Sequence, residues 1–462
     1  MKNDSGFLEE ANKTTALIIN STANGELICA ASARISTTNG SALEVFEKST
    51  ENTNNSNLIS KVINSGHKSL IEHFTFNIAF NNVSVFVEQF LIEFRLASFT
   101  VQSRRYVDFR NVGFIIPEGL TSEIENKYSD NMNYLFSTYE KLIDLGIPKE
   151  DARFVLPYCF KSNFYCSCNA RELMHIICTM LYGRGKNNRE ISSLGNELKN
   201  QFDKYFPGVI EKEKRNFLDN DPRYTYEVNA RQKNPEVVHP VVELISHTQN
   251  AKDIIGEAAK YNFTSNNCSI EIKDIVFSDR ARELELLNYT FIIKNISLSA
   301  ITHLARHRMQ TLMVPNVINA VNNNRYIVPG SVVNNAEANK LYLSAFTHNS
   351  KIVQELLSDG MQIENLVYFS LSGHTLDVIT QMNARELLHY LSLRTCNRAQ
   401  WEIKDISDMI IKELRKIDED IFGFFGPSCF IKGYCPEGKM SCGEKDIVVR
   451  RYLKMEMTEY ER

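Results

Sequence analysis

The heptapeptide Asn169-Ala170-Arg171-Glu172-Leu173-Met174-His175 returns as Asn383-Ala384-Arg385-Glu386-Leu387-Leu388-His389, an offset of 383 − 169 = 214. Thr75-Phe76 returns as Thr290-Phe291 at an offset of 215, and Arg95 as Arg308 at 213. Three colinear anchors at nearly constant displacement point to a duplicated domain, and the period is too long for a solenoid of stacked repeats. The 462 residues hold two copies of about 215 residues, each able to bury a core. Each copy, however, has lost polar residues that the other keeps.

With 43% apolar and 23% charged residues the composition is that of an ordinary globular protein. A formal charge of −4 argues against a general polyanion binder, so no nucleic-acid partner is expected, while local basic pockets stay open. Residues 1–10 lack the apolar core of a signal peptide, and no apolar run reaches the roughly 18 residues a membrane span needs. The expectation is a soluble cytoplasmic chain, with no membrane partner, whose ten cysteines are reduced thiols. Residues 52–57 read as a polar loop, because Asn and Ser side chains compete for backbone hydrogen bonds. The stretch 211–240, with Asp221-Pro222 and Asn234-Pro235, reads as the linker. Domains are therefore expected at 1–230 and 231–428, followed by a cysteine-containing tail at 429–462.

In each copy a β-branched and aromatic segment (74–80; 289–293) precedes an expected amphipathic helix (84–97; 297–311), and a second helix carries the repeated heptapeptide. On that second helix Asn383, Leu387, Arg394 and Arg398 are expected along one face, with Arg385 and His389 on the opposite face. A solvated surface helix is the alternative. Leu388, Leu391 and Trp401 beside the charges favour a bound partner, since Arg among large apolar groups needs one.

Arg306-His307-Arg308 is expected to end the first helix of the second copy. Two guanidiniums around an imidazole repel unless an anion compensates them, and the Arg fork suits phosphate. At the corresponding place the first copy reads Glu93-Phe94-Arg95, then Ser98, then Gln102-Ser103-Arg104-Arg105-Tyr106. Backbone N–H groups, the Ser103 hydroxyl and the adjacent Arg104 and Arg105 are a candidate phosphate cradle. An ordinary basic surface loop is the alternative for both stretches.

Arg-His-Arg, a following Ser and Ser-x-Arg-Tyr, then Asn-Ala-Arg-x-Leu and Ala-Gln-Trp-Glu-Ile, together resemble the flavin-dependent thymidylate synthases, the ThyX family. The second copy supplies Arg306-His307-Arg308 and Ala399-Gln400-Trp401-Glu402-Ile403. The first supplies Ser98, Ser103, Arg105 and Tyr106, preceded by Glu72-His73 and Gln89 and followed by Arg153 ahead of Leu156-Pro157. Most of residues 15–428 is covered.

The resemblance implies a flavin side made of Arg306, His307, Arg308, Asn383, Arg385 and Arg398, to which His389 is added from its place beside Arg385 on the helix. Arg394 is implied near the pyrimidine, where the first copy has Met180. It implies a nucleotide-phosphate side made of Gln89, Ser103, Arg105 and Arg153, to which the basic loop adds Arg104. The second copy has no obvious match there: Arg325-Tyr326 lies too far along, and Val367 stands in place of Arg153. A flavin-side histidine maps to His73, which is Asn288 in the second copy. One departure concerns the nucleotide: an Asn-Glu pair of the family is Thr100-Val101 here.

ThyX proteins are homotetramers with sites shared between subunits. The resemblance therefore implies a homodimer forming a pseudo-tetramer, in which a flavin half-site of one copy faces a nucleotide half-site of the other. The implied fold is α+β, with two tandem domains of long helices packed on a small antiparallel sheet. The implied reaction is methylation of dUMP to dTMP, using FAD, NADPH and 5,10-methylenetetrahydrofolate, with Arg394 and Arg306 stabilising charge on the pyrimidine. Methylation of another pyrimidine nucleotide, and a silent nucleotide- or flavin-binding scaffold, are the alternatives. No cysteine sits in a nucleophile setting. Cys429, Cys435 and Cys442 are spaced unlike a C-x-x-C pair and show no fourth ligand nearby in sequence, so an ordinary thiol-bearing tail without metal is expected, with a closed zinc–thiolate site as the alternative.

Overall fold

The computed structural model describes residues 12–218, 233–262 and 271–454. The boundary expected near residue 230 and the middle of the 211–240 linker lie outside the described residues. The chain forms two compact units, Met1–Gln232 with Ser331–Leu371, and Lys233–Gly330 with Ser372–Arg462.

In the first unit, β1 (Thr15–Ser21), β2 (Thr75–Ser84), β3 (Ser98–Val101) and β4 (Lys161–Asn169) form an antiparallel sheet in the order β1-β2-β4-β3. Along β4 the even-numbered Ser162, Phe164, Cys166 and Cys168 are buried, the period-two signature of a strand with one face on the core. The helix after β2 is α1 (Val85–Ile92), started by Ser84, whose hydroxyl accepts from the Val87 backbone N–H at 3.2 Å. It is shorter than the expected 84–97 and, Phe86 apart, buried all round rather than amphipathic. The chain leaves it through a turn around Phe94 and returns as β3, so the later apolar residues pack from a turn.

Three further helices matter here: α2 (Ser122–Asp144), α3 (Ala170–Leu181) and α4 (Arg189–Phe202). Glu197 and Gln201 of α4 accept from the Ala16 and Ile18 backbone N–H groups at 2.9 and 2.8 Å, which covers the open edge of β1. Residues 52–57 are not all loop: Asn55 opens the helix Asn55–Asn64, which Ile59 and Ile63, one turn apart, bury against the core.

The helix Ala336–Ser358 also belongs to this unit, although it comes from the second repeat. It packs on α2, and both helices are 23 residues long. Asn131 donates to Asn349 at 2.9 Å, and the rings of Tyr134 and His348 lie 4.2 Å apart. Tyr134 and His348 are equivalent positions of the two repeats. So are Pro157 and Leu371, which form an antiparallel bridge. Two contacts in which a residue meets its own counterpart define a local two-fold relation.

The second unit repeats the pattern with β5 (Val241–His247), β6 (Asn288–Ser297), β7 (Gln310–Met313) and β8 (Thr375–Asn383) in the order β5-β6-β8-β7. Its helices are α5 (Leu298–Leu304), α6 (Ala384–Arg394) and α7 (Trp401–Ile417). As with α1, α5 is shorter than the expected 297–311 and fully buried, and Thr311 belongs to β7. Small details recur at the repeat offset. Asn82 and Asn295 both take left-handed φ values, 48° and 57°, at the bulge of the central strand, where Asn163 and Asp377 accept their backbone N–H at 2.8 Å. The Ser84 and Ser297 backbone N–H groups both donate to a glutamate, half-buried Glu190 and buried Glu402, at 2.7 Å. Each unit is thus a mix of helices and antiparallel sheet, and no described helix is long and apolar enough to cross a membrane.

Candidate functional site

In the second unit, Asn383 is the last residue of β8 and the N-cap of α6, and its Oδ1 accepts from the Glu386 backbone N–H at 2.8 Å. That cap sets the first turn of α6 and aims the Glu386 carboxylate at His307, with 3.1 Å between Oε1 and Nδ1. On the other side of the ring, Arg394 Nε donates to His307 Nε2 at 3.0 Å. An Arg Nε–H can only donate, so Nε2 carries no proton and the hydrogen sits on Nδ1, facing Glu386. His307 is therefore a neutral, oriented imidazole, 4% exposed, with its ring edge-on to Tyr390 at 4.8 Å.

Burial pushes the His307 pKa below its ordinary value of 6.5; Glu386 opposes this, and the Arg394 cation adds to it. Above pH 6.5 the ring is neutral whether folded or unfolded. As the pH falls through 6.5 the unfolded chain takes the proton first, so stability declines until the lower folded pKa is reached. The substitution His307→Gln keeps a donor for Glu386 and an acceptor for Arg394. It is expected to flatten the loss of stability below pH 6.5, read as urea midpoints across a pH series; an unchanged slope would count against a neutral buried ring.

Arg306 and Arg308 lie in the turn between α5 and β7, not at a helix end, and both are exposed on either side of buried His307. Arg385 pairs with Glu285 at 2.5 Å, and that guanidinium holds the Glu285 carboxyl below its usual range. His389 is exposed, with its ring 5.8 Å from that of His307. Arg398 is not on the α6 face. The helix ends at Arg394, and Arg398 follows in a turn, donating to the Met440 and Ser441 carbonyls at 2.9 and 3.1 Å.

The arginine cluster of the first unit has a different character. Glu88, fully buried on α1, pairs with Arg104 at 2.5 Å and accepts from Ser162 at 2.6 Å. Arg104 is 6% exposed and Arg153 only 3%. Arg153 Nε donates to the Glu150 carbonyl at 3.0 Å, yet Arg153 Nη2 and Arg104 Nη1 have no hydrogen-bond partner among the described residues. Burial, then the nearby Arg104 cation, pushes the Arg153 pKa down to about 10, which still leaves it charged at neutral pH. Arg105 lies 2.7 Å from Glu150, out of line for a hydrogen bond, with its guanidinium over the Tyr106 ring at 5.7 Å. Ser103 is half-buried and its hydroxyl meets the Arg105 backbone N–H at 3.4 Å. Gln89 is buried, donates to Glu93 at 3.2 Å, and leaves Oε1 unmatched. Cationic N–H groups buried without acceptors are costly, and an anion bound beside them would supply those acceptors.

His73 is not part of that cluster. It is exposed at the end of the short helix Ser69–His73, next to Glu72, which pairs with Arg171 at 2.6 Å. Glu72, Asn169, Arg171 and His175 line a cleft of about 610 Å³.

Where the second unit has Arg306 and His307, the first has Glu93 and Phe94, and Met180 replaces Arg394. Glu93 there neutralises Arg184 at 2.8 Å, and the guanidinium stacks on Phe90 at 4.2 Å. Conversely, Val367, at the place of Arg153, is buried apolar surface, and Arg325 is bound to Asp377 at 3.1 Å. Reasoning from sequence missed Glu386, Glu88 and Tyr390. Glu386 had a signal, because it belongs to the heptapeptide that both copies keep.

The family model of the thymidylate synthase complementing protein matches residues 17–208 and again 243–418. Similar proteins include the flavin-dependent thymidylate synthases of Clostridium tetani, 26% identical over 241 residues (46% of this chain and 96% of the relative), and of Geobacter sulfurreducens, 28% identical over 236 residues (46% and 98%). That of Sulfurisphaera tokodaii is 30% identical over 207 residues (41% and 79%). Each spans about one repeat. The chain belongs to the thymidylate synthase complementing protein family, the flavin-dependent thymidylate synthases, and carries the family's domain twice.

Proposed function

We propose that this chain converts dUMP to dTMP in the cytoplasm at composite sites, each joining the His307 side of a second repeat to the arginine side of a first repeat within a homodimer that imitates a tetramer. The observation that carries this reading is complementary retention. Random decay would strip both sets of residues from either copy, whereas one copy keeps the His307–Glu386–Arg394 network and the other keeps Arg104 and Arg153 buried with unmatched N–H groups. A silent scaffold would gain stability by losing those buried charges.

The donor sets fit the ligands that the reading requires. Arg104, Arg105 and Arg153, with Ser103 and Gln89, would hold the nucleotide phosphate, and the unmatched Arg104 Nη1 and Arg153 Nη2 would find acceptors there. Arg306, Arg308, Arg385 and Arg398, with Asn383 and His389, would hold FAD, and His73 would join them from a first repeat. When bound, FAD reduced by NADPH supplies the hydride that completes a methyl group whose carbon comes from 5,10-methylenetetrahydrofolate. The protein's part is placement and charge. Arg394 and Arg306 would oppose negative charge developing on the pyrimidine, while His307 fixes the direction of Arg394. Thr100 and Val101 on β3, in place of the family's Asn-Glu pair, support a different pyrimidine nucleotide as the second reading.

Purified protein should show flavin absorbance and dUMP-dependent oxidation of NADPH with dTMP formed. Absence of both would refute the reaction. Co-expression of an Arg394→Ala chain with an Arg153→Ala chain tests the composite site. If repeats pair between chains, a mixed dimer regains one site with both halves intact; if they pair within a chain, it regains none. Full activity in either single variant would remove the shared site altogether.

A further inference from the structure

We propose that Cys396, Cys429, Cys435 and Cys442 form a closed tetrathiolate site for one zinc ion, which clamps the C-terminal segment onto the turn after α6. In sequence the last three lack a fourth ligand; the fold supplies Cys396, two residues past the end of α6. This inference does not depend on the proposed reaction.

Separate hydrogen bonds bring Cys396, Cys429 and Cys442 to one place. Arg398 donates to the Met440 and Ser441 carbonyls, which sets Cys442 against the turn that carries Cys396. Asn397 donates to Glu444 at 2.6 Å, from the other side of Cys442. Ser428 donates to the Ser392 carbonyl at 3.0 Å and so docks the short helix Ser428–Lys432, with Cys429, on the last turn of α6. Tyr452, buried in the last described helix, donates to the Asp408 carboxylate at 2.5 Å with its hydroxyl 3.3 Å from the Thr395 carbonyl, and its ring lies 5.9 Å from that of Phe430. Gly433, at φ 73°, reverses the chain ahead of Cys435, and Gly443, at φ 78°, does so after Cys442.

The thiols sense one another. Cys429 lies within electrostatic reach of Cys396, Cys435 and Cys442, and Cys396 within reach of Cys442 and Cys435. Mutually repelling thiolates become stable together only around a cation, and zinc removes their protons to solvent on binding. Among the described residues no three such side chains already stand at ligand spacing. Cys396, Cys435 and Cys442 are half-buried, so closure needs side-chain rotation at accessible positions and no reordering of the core. All four are free thiols, and zinc prefers this closed four-sulfur environment when its role is structural.

The test is metal analysis of the full chain, purified under reducing conditions from zinc-supplemented medium. About one zinc per chain is expected, released by a thiol-blocking mercurial, and cobalt substitution should give the thiolate charge-transfer and tetrahedral ligand-field bands. Cys435→Ala and Cys442→Ala should lower zinc affinity by at least the roughly 10–100-fold typical of disturbing a site's outer shell. Cys168→Ala, in the first-unit core, should leave zinc content unchanged. Wild-type protein that holds no zinc and gives no cobalt–thiolate band overturns the proposal, and so does a disulfide among the four in place of metal. Because the cobalt spectrum is read on the wild type, a misfolded variant does not blunt the test.

Discussion

Arg394→Ala is expected to lower turnover of dUMP by about 10²–10³-fold, the range seen when one preorganised donor is removed from a site that stabilises developing charge. The geometry makes the loss double. The half-buried guanidinium disappears, and His307, whose bare Nε2 it had engaged at 3.0 Å, loses the contact that fixes its tautomer. Removing the Arg394 cation also removes one of the influences that hold the His307 pKa down, so the acid limb of the pH–rate profile should move to higher pH. Arg394→Lys should not rescue, because an ammonium on a flexible stem cannot place one donor on His307 and present another elsewhere. Arg95→Ala, at an exposed position of the first repeat whose neighbours are Phe94 and Glu93, should cost far less. Equal losses for Arg394→Ala and Arg95→Ala, or an unmoved pH profile, would show that Arg394 does not act through His307.

This asymmetry between repeats was legible in the sequence as letters, and the structure supplies its physics. The duplicated heptapeptide was enough to expect two related folds, because six identities in seven residues at a fixed offset survive only where the local backbone is repeated. The two sheets indeed share one strand order and even the left-handed asparagine of their central bulges. Lengths were less legible. Helices α1 and α5 were expected to run on because apolar residues continue past them, but Phe94 and Leu304 reach the core from a helix end or turn, and period alone cannot tell the two apart. Arg398 was expected on the α6 face by counting residues, and the count fails once the helix stops at Arg394. The pairing of α2 with Ala336–Ser358 was out of reach, since nothing in an amphipathic pattern says which other apolar face will cover it. Tautomer and partnership were equally hidden: that Glu386 serves His307, and that Arg153 has a buried N–H without an acceptor, depends on distances no spacing encodes.

That last feature leads to a prediction in which two measurements move in opposite directions. In the free protein Arg153 is a burden. It is 3% exposed, its pKa is pushed down to about 10 first by burial and then by Arg104, and its Nη2 has no acceptor. Arg153→Met fills similar volume without the charge, and replacing buried ionic groups by packed apolar ones is commonly stabilising by about 1–4 kcal/mol. Arg104 keeps its Glu88 partner in the variant, so the substitution strands no second charge on that side. The ligand-free melting temperature should therefore rise, by roughly 2–4 °C for each kcal/mol gained in a domain of this size. Nucleotide binding should respond the other way. A charge-assisted hydrogen bond contributes about 1.5–3 kcal/mol, so the Kd for dUMP should rise roughly 10–100-fold, and the thermal upshift that dUMP gives the wild type should largely vanish. Inorganic phosphate should protect the wild type weakly and the variant not at all. Arg105→Met, at a half-buried position, should weaken binding less and leave the ligand-free melting temperature nearly unchanged. A structural arginine would behave differently: its loss would lower the melting temperature and leave the nucleotide Kd where it was, because nothing then ties the burial of Arg153 to the phosphate. Only a side chain kept at the expense of stability for the sake of its ligand gives a rise in one quantity and a fall in the other.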